Sequence, residues 1–166
     1  SSLGRVFDAV AAMLGLGCYN HFDAQLPMIL EAVAAGDVEQ NYDFEVVNRA
    51  GQPLQLDLSL MFRELVADLH KGQDAGVISA KFHNTLAAAL LAMAVAAREN
   101  TKLNEVAFSG GVFCNRYLAN RLIKLLKKSG FSVLFNRDVP SNDGGISLGQ
   151  AAIAAYVVSR EASSVT

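Results

Sequence analysis

The stretch Phe108-Ser-Gly-Gly-Val-Phe-Cys-Asn-Arg116, followed by Val139-Pro-Ser-Asn-Asp-Gly-Gly-Ile-Ser-Leu-Gly-Gln150, decides how this chain is read. Each block leaves a strand-like run (Glu105 to Ser109, then Phe131 to Phe135), turns through paired glycines and opens an amphipathic helix. The helices are Asn115 to Ser129, with Leu118, Leu122, Leu125 and Leu126 inward, and Gly145 to Val158. Strand–helix–strand–helix over residues 104–158 predicts a βαβα unit on a parallel sheet. Such sheets take ligands at the carboxyl ends of their strands, where both glycine pairs fall. Backbone N–H groups at those turns suit a phosphorylated ligand.

Residues 1–103 read as mainly helical. Phe7, Val10, Ala11 and Leu14 share one helical face, and Gly15 to Gly17 end that run. Leu26 to Ala35 is a second helix, with Pro27 in its first turn and Gly36 as its stop. Alternation at Tyr42, Phe44 and Val46, the turn Asn48 to Gly51, and Leu54, Leu56 and Leu58 predict a β-hairpin near 42–58. Helices from Leu60 to Leu69 and from about Val77 to Glu99 follow, the latter with Ile78, Phe82, Leu86, Leu90 and Met93 as one stripe. A chain that opens on a helix, with no initiator methionine, is expected to be the later part of a longer protein.

Composition excludes several classes. An apolar fraction of 52% and a charged fraction of 18% belong to a packed domain rather than a disordered one. A net charge of −2 and a pI near 5.9 leave no basic footprint for nucleic acid. Lys124, Lys127 and Lys128 sit at a helix C-terminus, where cations offset the helix dipole. The apolar run Leu86 to Ala97 is too short to cross a bilayer, and no basic segment precedes an apolar one near the N-terminus. Two cysteines make no disulfide framework, which fits a reducing cytoplasm. A soluble cytoplasmic chain is expected, with no membrane partner.

Gly110 and Gly111 either admit a ligand to the backbone or make a plain tight turn. Asn115 either points its amide at a ligand or caps the helix, and Asp143 either caps the last helix or binds a cation or nucleotide. Cys18 and His21 have C-x-x-H spacing with no second ligand pair. His83, beside the stripe of the long helix, reads as a hydrogen-bonded, semi-buried side chain. Cys114 has no base near it in sequence and reads as a small apolar filler.

Ser109-Gly-Gly-Val-Phe-Cys-Asn-Arg116 together with Val139-Pro-Ser-Asn-Asp-Gly-Gly-Ile-Ser-Leu-Gly-Gln-Ala151 resembles the C-terminal region of the HypF family, the carbamoyltransferases of nickel–iron hydrogenase maturation. Ser1-Ser-Leu-Gly-Arg-Val-Phe-Asp-Ala-Val-Ala-Ala12 and Lys81-Phe-His-Asn-Thr-Leu-Ala87 match the same family. The resemblance implies an α/β fold, an actin/hexokinase-like (ribonuclease H-like) nucleotide-binding lobe with a helical insertion and a short β-hairpin. Residues 1–166 would be the C-terminal lobe of the carbamoyltransferase domain. It further implies that carbamoyl phosphate and ATP, with Mg, form a carbamoyl-adenylate. The carbamoyl group then passes to the C-terminal cysteine of a partner, HypE, on the way to the cyanide ligand.

Carried over by the resemblance, Asp8 contacts the ribose, and Gly110, Gly111 and Asn115 line the nucleotide and carbamoyl site. Asp143 is one ligand of a divalent metal, iron or zinc, completed by residues outside this chain. Where the family has Glu-Gly-Gln-Ala, this chain has Asp23-Ala24-Gln25-Leu26, which keeps a carboxylate and replaces a glycine. The family's metal-binding histidine pair and its acylphosphatase-like and zinc-finger-type regions have no counterpart here, so the isolated chain is expected to be inactive. Related alternatives are an O-carbamoyltransferase or tRNA threonylcarbamoyltransferase lobe, or a non-catalytic docking lobe of the same fold. The Val-Pro-x-Asn-Asp-Gly-Gly string favours HypF.

Overall fold

The computed structural model describes residues 2–49 and 51–163, with no side-chain description from 161 on. Helices α1 (Leu3–Met13), α2 (Gln25–Val33), α3 (Ser59–His70) and α4 (Ala75–Thr101) make the first part. Between α2 and α3 lies the antiparallel hairpin β1 (Glu45–Val47) and β2 (Gln55–Asp57), which pairs Val46 with Leu56. Its predicted turn includes Ala50, which lies outside the described residues, as does Ser1 of the first motif. The strand is shorter than the alternation suggests because Tyr42 is drawn into the core. Its ring is buried and its N–H donates to Thr85 Oγ1 of α4 at 2.8 Å.

The second part follows the predicted order: β3 (Glu105–Ala107), α5 (Arg116–Lys128), β4 (Ser132–Leu134) and α6 (Ile146–Ser163). β3 and β4 pair in parallel with Val106 opposite Val133, as a strand–helix–strand unit requires.

α4 is the spine of the core. Asp74 caps it, its Oδ1 accepting from the N–H groups of Gly76 and Val77 at 2.9 and 3.3 Å. Its Ile78, Phe82 and Leu86 are fully buried, as predicted, and the ring of Phe82 meets that of Phe7 edge-on at 4.9 Å. The helix is longer than the apolar run in the sequence, and by length and composition alone it is long and apolar enough to cross a membrane. More than half of that apolar window is buried inside the domain, where Ser79, His83, Asn84 and Thr85 all make hydrogen bonds. Its hydrophobicity therefore fills a core.

α6 differs. It forms where the helical spacing predicts it, yet every side chain from Ile146 to Arg160 is exposed, Ile153 at 66% and Tyr156 at 62%. Its apolar stripe has no cover among the described residues.

Candidate functional site

The two glycine turns form one rim. The N–H of Gly110 donates to the carbonyl of Ser141 at 2.8 Å, and Cys114 Sγ lies 3.8 Å from Ser141 Oγ. Gly110 has φ 102° and ψ 156°, a conformation that side chains strongly disfavour, and a Cβ there would meet nothing. The second pair serves a different end. A Cβ on Gly145 would stand 2.8 Å from the Pro140 carbonyl oxygen, so this glycine lets the loop close on itself. Only the first pair is open to an approaching ligand.

Beside this rim is a cleft of about 560 Å³ between α1, α2 and the start of α5. Arg5, Asp23, Ala24, Glu31, Gly111 and Asn115 are among the residues that line it. Three of the residues singled out in the sequence, Asp23, Gly111 and Asn115, thus converge on one cavity.

Asp8, on α1, is not among the residues that line the cleft, and neither is Gly110. Asn20 Nδ2 donates to Asp8 Oδ1 at 3.1 Å, while Asn20 Oδ1 accepts the N–H of Leu26 at 2.8 Å, tying the carboxylate to the start of α2. The buried Oδ2 of Asp8 lies 3.0 Å from Arg5 but receives no well-directed hydrogen bond among the described residues.

Ala24 carries the departure in the Asp23–Leu26 segment. It is left-handed, with φ 58° and ψ 21°, a conformation that glycine takes without strain. The methyl group costs roughly 1–2 kcal/mol in that region, and glycine would return roughly 0.5–1 kcal/mol of that through unfolded-state entropy. Ala24→Gly is therefore expected to stabilise the domain by roughly 0.5–1 kcal/mol. Urea unfolding would show a raised midpoint at unchanged slope, and a lowered midpoint would contradict the reading.

Of the two roles the sequence left open for Asn115, the structure shows the cap. Its Oδ1 caps α5, accepting the N–H of Leu118 at 2.8 Å. Its amide nitrogen lies 2.9 Å from His83 Nε2, and His83 Nδ1 lies 2.7 Å from the Ser79 carbonyl. The carbonyl can only accept, so the imidazole is protonated on Nδ1 and accepts the Asn115 N–H on Nε2. Both polar ends of the side chain are engaged, and it lines the cleft with its orientation fixed. His83 is not semi-buried, as the sequence suggests, but completely enclosed, with the rings of Phe7, Phe82 and Tyr117 around it. Burial pushes its pKa below the ordinary histidine value and keeps it neutral.

Asp143 lies in a 3₁₀ turn, Asp143–Gly145, and does not line the cleft, although its neighbour Asn142 does. Asn142 caps that 3₁₀ turn, its Oδ1 accepting the N–H of Gly144 at 3.1 Å, and Asp143 lies inside the turn. The Asp143 carboxylate is exposed and has no partner among the described residues. Among those residues no three His, Cys, Asp or Glu side chains gather to hold a metal. Cys114 is exposed rather than a buried filler, and Cys18 and His21 are exposed and join no ligand cluster.

Sequence reasoning missed Arg5, Asn20 and Glu31. Glu31 Oε1 accepts the N–H groups of Arg116 and Tyr117 at 2.7 and 3.1 Å, which puts a carboxylate from α2 on the N-terminus of α5.

The family model described as "Carbamoyltransferase, Kae1-like Domain, second subdomain" matches residues 1–150. The HypF carbamoyltransferase of Synechocystis is 33% identical over 150 residues, covering 90% of this chain and 19% of that protein. The HypF carbamoyltransferase of Rhizobium leguminosarum is 35% identical over 172 residues, covering 99% and 21%. Among solved structures, a full-length HypF in its phosphate- and nucleotide-bound form superposes with a TM-score of 0.87 at 44% identity, covering 95% of this chain and 21% of that one. The chain thus spans about a fifth of the length of these relatives.

Proposed function

The chain belongs to the HypF carbamoyltransferase family, and we propose that its cleft is one wall of an adenine-nucleotide site used for ATP-dependent carbamoyl transfer. In this reading water first takes carbamoyl phosphate to carbamate and inorganic phosphate. A carbamate oxygen then bonds to the α-phosphorus of ATP as the bond to pyrophosphate breaks. Attack by the acceptor sulfur, the C-terminal cysteine of HypE, on the carbamoyl carbon releases AMP with the bonding electron pair.

This chain's part is binding and orientation, which convert an encounter into a nearly unimolecular step. Asp8 and Asp23 would hold the ribose hydroxyls. Gly110, with no Cβ, and Gly111 would let the nucleotide lie against the backbone, and Asn115 would present a fixed wall. A divalent metal would supply charge stabilisation at phosphate or carbamoyl oxygens. Asp143, whose carboxylate is open, would give it one ligand. The remaining ligands, Mg with ATP, and full activity would then need residues outside this chain. Both cysteines are free and exposed, which supports a reducing cytoplasm as the setting.

The observation that carries the reading is the convergence of Asp23, Gly111 and Asn115 on one cleft, beside the open Gly110 turn. Calorimetry of the purified protein with ATP tests it: binding is expected, and Asp8→Ala should weaken it about tenfold or more. A protein that gives no heat with ATP or an adenylate analogue is a docking lobe instead.

A further inference from the structure

The first free N–H groups of a helix attract anions, so the start of α5, beside the glycine rim, looks like the place for a ligand phosphate. That place is taken. Glu31 Oε1 accepts the N–H groups of Arg116 and Tyr117, and Asn115 Oδ1 accepts that of Leu118. The next donor, the N–H of Ala119, is already bonded to the Asn115 carbonyl. Glu31 comes from α2, the helix that follows Asp23 and Ala24 on the opposite wall of the cleft. Its carboxylate is the only covalent group of the protein, among the described residues, that bridges α2 to these backbone donors.

We propose that Glu31 is a positioning residue that acts as a built-in anion: it fills the N-terminus of α5, excludes free phosphate from it, and holds the two walls of the cleft at one spacing. The inference rests on the nucleotide reading only for what the cleft holds, since the seat of the carboxylate is independent of any ligand. Two consequences follow. A nucleotide's phosphates must be met elsewhere along the rim, at the glycine turn rather than at the helix end. Removal of Glu31 turns the helix end into an empty anion site.

The test is thermal unfolding of the purified protein with and without inorganic phosphate, at matched ionic strength in chloride. Glu31→Ala is expected to unfold several degrees below the natural protein. Phosphate at about ten times its dissociation constant should then raise the variant's Tm by about 4 °C more than it raises that of the natural protein. If Glu31→Ala does not fold, Glu31→Ser carries the same comparison, because its short side chain reaches neither N–H group and leaves the helix end open. A merely structural glutamate would lower the Tm without any gain in phosphate response. An equal response to phosphate in natural protein and variant overturns the proposal. Loss of ATP binding by the natural protein would sink the nucleotide reading and leave this comparison intact.

Discussion

Asn115→Ala is expected to destabilise the domain by about 2–4 kcal/mol, the largest loss for any polar side chain at the cleft. Two costs combine. Removal of a helix N-cap costs typically ~1 kcal/mol, because Leu118 loses the acceptor for its N–H. The second cost falls on His83, whose Nε2 would be left without a donor in a fully enclosed site, at about 1–3 kcal/mol. Asn115→Ser separates them, since serine keeps a cap and does not reach the imidazole. It should fall between the natural protein and the alanine variant in urea unfolding. A loss below about 1 kcal/mol for Asn115→Ala would show that the His83 contact contributes nothing. Nucleotide affinity should fall with the alanine variant too, since the cleft wall it orients is released.

The second large effect is loss of stability in mild acid. The folded protein holds His83 neutral, with a pKa lowered first by burial, against bonding to the Ser79 carbonyl and the charge of Glu31, which raise it. In the unfolded chain the imidazole titrates at an ordinary value near 6.5. Below that pH the unfolded state therefore binds a proton that the folded state refuses, and stability falls as pH falls. The slope for this one group cannot exceed about 1.4 kcal/mol per pH unit, so a drop to pH 5 removes at most about 2 kcal/mol. Above about pH 7.5 this group contributes no pH dependence. Measurement of ΔG from urea curves between pH 8 and pH 5 checks this, with His83→Gln as the flat reference over that window. Equal slopes in both proteins would assign the acid loss to other groups.

Protonation of His83 would also reverse its role toward Asn115. With protons on both nitrogens it donates where it now accepts, and it would face the amide N–H groups of Asn115 head-on. The penalty at low pH and the penalty of Asn115→Ala are therefore two ways of breaking one contact, and they should not add.

Much of this was legible locally. The βαβα order followed from helical and strand periods broken by glycine, and the stripe of α4 followed from residues three and four apart. Asn115 was legible as a cap because a cap acts within three residues of itself. What stayed hidden was every contact made at long separation. Glu31 meets N–H groups 85 and 86 positions away, and nothing in its helix marks it out. His83 reads as half-buried from α4 alone, because Phe7 and Tyr117 close over it from other helices. The 3₁₀ turn that Asn142 caps, with Asp143 inside it, was hidden too, since either side chain is chemically suited to a cap and only the turn geometry decides. The left-handed turn at Ala24 was equally hidden, since nothing in an alanine signals positive φ.

The bond from the Gly110 N–H to the Ser141 carbonyl has one more consequence. It makes the loop beside Asp143 and the turn beside the cleft a single mechanical unit, so a ligand that fixes one turn also limits the other. Affinities at the two places are then linked quantities. Whatever factor a ligand of Asp143 applies to binding in the cleft, occupancy of the cleft must apply to that ligand in return.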